Sequence, residues 1–388
     1  MSMFSTAGQI YMDYQATTPT DRRVVAAMQP YWSEIYGNPH SADHAFGWSA
    51  DSAVEAARRQ IAELIAADPD EIVFTSGATE ANNLAILGIA RASSADRRRI
   101  IVSAIEHKCV LAAARAAVEE GFEVVTAPVN ADGLVDVAVL ADLIDPRVAL
   151  VSIMMVNNEI GSVQPLTEIA ALCAAVGAIF HSDAAQALSV LPIDVTALGV
   201  DLMSLSAHKA YGPKGIGALY VRRGLAVRPK PIIHGGGQEE GLRAGTLPTP
   251  LCVGFGEACH ILVDERGPDA ARIGKLRDRL LAKFRATVPD LEVNGTLADR
   301  HPGNLNVRCP AVDASVLLQN LHPHVAASTG SACTSGQPEP SHVLRALGLS
   351  AKEANASIRL SIGRFTTDGD VDRAVEYLGD AYRTSMVT

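Results

Sequence analysis

The sequence predicts an α/β protein whose mostly parallel sheet is sandwiched by helices, with a smaller α+β part after it. Three observations carry this. The chain has 388 residues, 48% apolar and 20% charged, enough for two domains around a large core. Short apolar runs alternate with segments of helical apolar spacing over residues 51–221. Strands separated by helices pair in parallel and are covered on both faces.

Apolar residues recur at helical spacing from Asp51 to Ala67, and Glu71-Ile72-Val73-Phe74-Thr75 reads as a buried strand entering a glycine-containing turn. A helix follows from about Glu80. The alternation continues through strand Arg99–Val102, helix Val110–Glu120, strand Glu123–Pro128, helix Val137–Ile144, strand Ala149–Met155 and helix Leu166–Val176. Strands Ala178–Ser182, Leu202–Ser206 and Gly217–Val221 complete the layer. The charged segment Asp264–Asp269 marks the exit from it. That divides the chain into a large domain, 16–263, and a small domain made of 1–15 and 264–388, with a last helix around Val371–Tyr382.

Lysine and arginine total 33 against 43 aspartate and glutamate, a net charge of −10, and the longest basic run is Arg97-Arg98-Arg99. A nucleic-acid backbone has no electrostatic footprint here, so direct nucleic-acid binding is not expected. The N-terminus has neither a basic nor an apolar targeting region, and the longest apolar stretch, Val148–Val156, is far short of a membrane span. The expectation is a soluble cytoplasmic protein. Six cysteines show no CxxC or Cys/His spacing, which suggests neither a disulfide framework nor a metal site.

Ligands of such sheets sit at the C-terminal ends of the strands. After Thr75 comes Ser76-Gly77-Ala78-Thr79-Glu80 and a helix, whose free N–H groups and Thr79 hydroxyl suit a phosphate; a plain helix cap by Ser76 or Thr79 fits equally well. No G-x-G-x-x-G or G-x-x-x-x-G-K-[ST] occurs, so a phosphate carrier other than NAD or ATP is favoured. After Ser182 comes Asp183-Ala184-Ala185-Gln186, a carboxylate at the mouth of the sheet that suits a protonated pyridine nitrogen or an N-cap. After Ser206 comes Ala207-His208-Lys209, a lysine poised for a Schiff base, with Lys214 as the competing candidate. Ser206 and His208 offer donors to the phosphate, and His107, in Glu106-His107-Lys108, is placed to stack on a ring or shuttle protons.

In this order the motifs resemble the cysteine desulfurases, class V members of the fold-type I pyridoxal-phosphate enzymes. The markers include Met12-Asp13-Tyr14-Gln15-Ala16-Thr17-Thr18-Pro19, Gly37-Asn38-Pro39-His40-Ser41, Val156-Asn157-Asn158-Glu159-Ile160-Gly161, Arg243-Ala244-Gly245-Thr246, Gly330-Ser331-Ala332-Cys333 and Ser357-Ile358-Arg359. The likeness runs nearly end to end and implies a seven-stranded sheet. It also implies that Lys209 holds the cofactor covalently, Asp183 pairs with the ring nitrogen, Gln186 bonds the ring hydroxyl and His107 stacks on the ring. By the same carry-over Ala78, Thr79, Ser206 and His208 bind the phosphate, joined by Thr246 from the partner of a homodimer. Asn158, Arg359 and Asn38 bind the substrate, the first two at its carboxylate.

The implied reaction turns L-cysteine into L-alanine and leaves the sulfur as a persulfide on Cys333, for an acceptor protein serving iron-sulfur cluster assembly or nucleic-acid thiolation. Cys333 sits among small polar residues, as an exposed, reactive thiol does, whereas Cys109, Cys173, Cys252 and Cys259 lie on apolar-periodic segments and read as inert core. The chain stops soon after its last helix, without the long tail by which housekeeping members dock their scaffold, which leaves the acceptor open. A selenocysteine lyase or transaminase without the relay is the nearest rival, and Cys333 speaks against it. A cofactor-free sulfur carrier is the second, and the set Lys209, Asp183, His107 and Arg359 speaks against that.

Overall fold

The computed structural model describes residues 8–330 and 340–386. The strands are β1 Ile10–Tyr11, β2 Ile72–Thr75, β3 Arg99–Ser103, β4 Glu123–Ala127, β5 Val148–Ser152, β6 Ile179–Asp183, β7 Leu202–Ser206, β8 Gly217–Val221, β9 Glu292–Val293, β10 Asn304–Arg308, β11 Val325–Ala326 and β12 Ser357–Ser361. The helices are α1 Arg22–Met28, α2 Ala45–Leu64, α3 Ala78–Ala92, α4 Lys108–Glu119, α5 Val137–Leu143, α6 Leu166–Val176, α7 Val195–Leu198, α8 Thr249–Thr287, α9 Ala314–Leu321, α10 His342–Ala346, α11 Ala351–Asn355 and α12 Asp368–Ser385.

Seven strands form the central sheet in the order β2-β8-β7-β6-β5-β3-β4. Only β8 runs against its neighbours, pairing Gly217 with Ser206 on one side and with Thr75 on the other. The sheet is buried on both faces because adjacent residues of one strand feed different cores: Ile101 packs with Phe74, Phe180 and Met203, while Ile100 and Val102 pack with Leu84, Ile89 and Leu150. A second, antiparallel sheet has the order β12-β10-β9, and β1 pairs with β11. Single bridges from Asp13 to Ser361 and from Ser328 to Arg359 bring both to the mouth of the large sheet.

The charged segment at residues 264–269 is not a break in the chain. It lies inside α8, a 39-residue helix that runs through Pro268. The first half of this helix contributes Cys252, Phe255, Cys259 and Leu262 to the core of the large sheet, and the second half contributes Ile273, Leu276, Leu280 and Phe284 to the core of the small one. Residues between them face water, so helical continuity carries no apolar stripe there. Two helices also begin earlier than apolar periodicity indicates. Both α2 and α4 are N-capped by a histidine, His44 and His107, whose side chain accepts a backbone N–H.

Candidate active site

The ends of β2, β3, β6 and β7 open on one pocket of about 340 Å³, lined by Ala78, Thr79, His107, Asp183, Gln186, Ser206, His208 and Lys209. Asn158 and Arg359 line its other side. A larger cleft of about 730 Å³ lies at the opposite end of the sheet, walled by Ala174, Gly199 and Tyr220. Its Asp201 carboxylate is already taken by the Phe180 N–H and by Arg222, and burial pushes its Cys173 thiol up to about 12, so it assembles no reactive set.

Lys209, not the exposed Lys214, reaches the pocket. It ends a 3-10 turn, Ala207–Lys209, that Thr18 clamps: the Thr18 hydroxyl donates to the His208 carbonyl (3.0 Å) and accepts the Tyr211 N–H (2.9 Å). Lys209 Nζ donates to the carbonyls of Gln15 and of Ala16, the latter at 2.9 Å. Burial first, then the Arg359 charge, lower its pKa to about 8. Asp183 closes β6 with its side chain in an Asx turn, accepting the Ala185 N–H (2.9 Å) rather than capping a helix, and accepts a second hydrogen bond from Asn82 (2.7 Å).

The start of α3 favours the anion reading over the simple cap. Its N-cap is Gly77, at φ 147°, and no side chain caps it, so first-turn N–H groups remain for a ligand. That φ favours glycine at 77, and the facing Gly217 has no room for a side chain either, since its Cβ would lie 2.7 Å from the Gly77 Cα. Ser76 does not line the pocket, and its N–H is held by Glu80 (2.8 Å). His208, lowered to about 4 by burial and the neighbouring lysines, is neutral and pairs with the Thr17 hydroxyl at 3.1 Å.

Arg359 is 4% exposed and comes from β12. Its guanidinium donates to the Asn158 carbonyl (2.6 Å), to Asp13 (2.5 Å) and to the Ser328 hydroxyl (3.0 Å). Its Nε is buried without a partner among the described residues. Asn158 therefore meets Arg359 through its backbone. Gln186 donates to the Gln15 carbonyl (3.0 Å).

Not every expected residue is brought together. Asn38 and Thr246 are exposed and do not line the pocket of their own chain, and Cys333 lies outside the described residues. Cys173, Cys252 and Cys259 are core, but Cys109 is not: it is half-buried and lines the pocket, because the His107 cap turns the first residues of α4 toward the sheet mouth. Asn82, Asp13 and Glu159 were also missed. The available signal was a polar residue on an apolar helix face, as at Asn82, which shares a face with Ala78, Ala85 and Ile86 and is 0% exposed inside α3.

Residues 10–374 match the model of the aminotransferase class-V family, and the site is that of a class V enzyme. The chain is 50% identical to a cysteine desulfurase of Homo sapiens over 367 residues, 95% of this chain and 80% of that one. It superimposes on a NifS-like protein with a TM-score of 0.90 and 35% identity, covering 96% of this chain and 98% of the other. It superimposes on SspA in complex with cysteine with a TM-score of 0.82 and 38% identity, covering 92% and 100%. Within class V, this chain belongs to the cysteine desulfurases, enzymes that depend on pyridoxal phosphate. The residues present fit that group: uncapped donors at α3 for the phosphate, an Asp183 carboxylate lining the pocket, and Lys209 in the same pocket. Among the described residues no helix is long and apolar enough to cross a membrane.

Proposed function

We propose that this protein takes the sulfur of L-cysteine, releases L-alanine and carries the sulfur as a persulfide on Cys333 to an acceptor protein. The observation that carries the reading is one pocket holding Lys209, Asp183 and His107 opposite Arg359. Ala78, Thr79, Ser206 and His208 hold the cofactor phosphate, Asp183 the ring nitrogen, Gln186 the ring hydroxyl and His107 the ring face. Bound there, pyridoxal phosphate supplies an electron sink for the pair left at the substrate Cα.

Arg359 binds the substrate carboxylate, and its buried, unpartnered Nε is the donor left for it. Lys209 Nζ, with its pKa brought near working pH, takes and returns the Cα proton. The Cys333 thiolate attacks the substrate sulfur. The new S–S bond uses the Cys333 electron pair, the Cβ–Sγ bond breaks, and its pair stays with the carbon fragment, which takes up protons to leave as alanine. His107 serves that proton traffic.

The reading includes a cytoplasmic homodimer. Exposed Asn38 lies within a stretch that also exposes Tyr36 (64%), Phe46 (54%) and Trp48 (58%), an aromatic surface of the kind buried between subunits. Asn38 and Thr246 then complete the partner's pocket. Five described cysteines are all free thiols, in keeping with a reducing compartment.

Peptide mass spectrometry after brief exposure to L-cysteine without reductant, with alanine assayed in the same tube, tests this. One added sulfur on the Cys333 peptide together with alanine is expected. Alanine without the adduct means a lyase, and neither product overturns the reading.

A further inference from the structure

We propose that Cys109 is a positioning residue, joined to Asp183 through Asn82 by hydrogen bonds of fixed direction, that fixes His107 with its ring proton on Nε2. The hydrogen bonds start at Asp183, whose carboxylate oxygens only accept. Asn82 must therefore turn its amide nitrogen toward it, and does so at 2.7 Å. The same nitrogen reaches the Cys109 sulfur at 3.1 Å. Asn82 Oδ1 is buried without a partner among the described residues, so the amide commits its donors to this direction and nothing opposes it.

At the other end His107 Nδ1 caps α4 by accepting the backbone N–H of Cys109 at 3.2 Å. A backbone N–H only donates, so Nδ1 carries no proton. The Cys109 sulfur lies 2.9 Å from that same nitrogen, and the S–H must point to it. Direction is thus settled at every link: Asn82 donates to Asp183 and to sulfur, and sulfur donates to His107.

Protonation states agree with this geometry. Burial, with Asp183 next, pushes the thiol up to about 11, which keeps the S–H in place across the working range and makes Cys109 a poor competitor for substrate sulfur. Desolvation lowers His107, and so do the charges of Lys209 after β7, His342 on α10 and Lys108 on α4, with Asp183 on β6 acting the other way. The lone pair that a base needs is already occupied by two donors. Neutral His107 therefore presents Nε2–H to the site as a hydrogen-bond donor and is not a base at Nδ1.

The inference deepens the proposed function, since it selects which of two proton roles His107 plays, but its test does not depend on turnover. Nitrogen-15 shifts of histidine-labelled holoenzyme, with His107 assigned by its loss in His107→Gln, are read across pH. The Nε2–H tautomer is expected, titrating below the usual 6.5. Cys109→Ala removes a donor to Nδ1, so the His107 pKa rises by about 0.5–1 unit, roughly three- to tenfold more imidazolium at a given pH. The acid limb of alanine production moves the same way. Cys109→Ser restores the wild-type titration, because a hydroxyl donates and accepts in the same directions. An Nδ1–H tautomer in the wild type, an unshifted Cys109→Ala, or a serine variant that behaves as alanine does, each overturns the proposal.

Discussion

Asp183, Ser206 and Lys209 reach the pocket from adjacent ends of one parallel sheet, whereas Arg359 comes from the middle of β12 and is held by Asp13 and Asn158, 346 and 201 residues away. The first wall is made by strand ends followed by tight turns, which set where each group emerges even though Thr18 and Asn82 then brace the Lys209 turn and the Asp183 carboxylate from afar. The second is made by pairing distant segments, and its charge is already partnered before any substrate arrives. On the proposed function, one wall holds a resident group and the other exchanges one anion for another.

Lys209→Ala separates the walls most strongly. Alanine release from L-cysteine should fall on the order of 10³-fold or more, measured in single turnover, while the fold survives because, among the described residues, Nζ hydrogen-bonds only the carbonyls of Gln15 and Ala16. Arg359→Ala should lower kcat/KM for L-cysteine roughly 10²-fold, with most of the change in KM. Asp13→Asn removes the anion that competes for Arg359, so KM should drop about two- to fivefold, the opposite sign, while urea denaturation shows a loss of roughly 1–3 kcal/mol from the weakened charge-assisted bond. A KM that rises in Asp13→Asn would mean that Asp13 orients Arg359 rather than competing with the substrate.

The smallest effect tests the support beneath the sheet-built wall. His181, 0% exposed two residues before Asp183, sits between the hydroxyls of Ser152 (2.8 Å) and Ser204 (3.0 Å), and burial lowers its pKa to about 3. The unfolded chain binds a proton below the usual 6.5 that the folded one refuses, so stability present above 6.5 is lost as pH falls toward 3. His208 and His301, each lowered to about 4, act alike. His181→Gln should remove one proton from this slope, about 1.4 kcal/mol per pH unit, read from urea midpoints between pH 6.5 and 4.

The contrast also explains what could be read from sequence. Strands β7 and β8 and helix α6 fall on their expected residues, and the lysine, aspartate and phosphate cup emerged because each is a strand, a turn and small residues in a row. The Asp13–Arg359 pair and the Cys109 chain did not emerge, since a hydrogen bond between residues 27 or 101 positions apart leaves no local pattern. Cys109 was misread for a related reason: its helix is apolar by period, and only the His107 cap turns the first residues out. The continuity of α8 was hidden by Gly267 and Pro268 in a charged stretch, a pair that ordinarily marks the end of a helix.

That helix has a consequence of its own. Its 39 residues span roughly 58 Å, and each end is locked into a different core, so it acts as a ruler with an angular scale as well as a linear one. One residue inserted near Gly267, although exposed on the surface, would turn the distal core by about 100° and advance it by about 1.5 Å relative to the proximal one. Arg359 meets Lys209 across the pocket only at one count of residues.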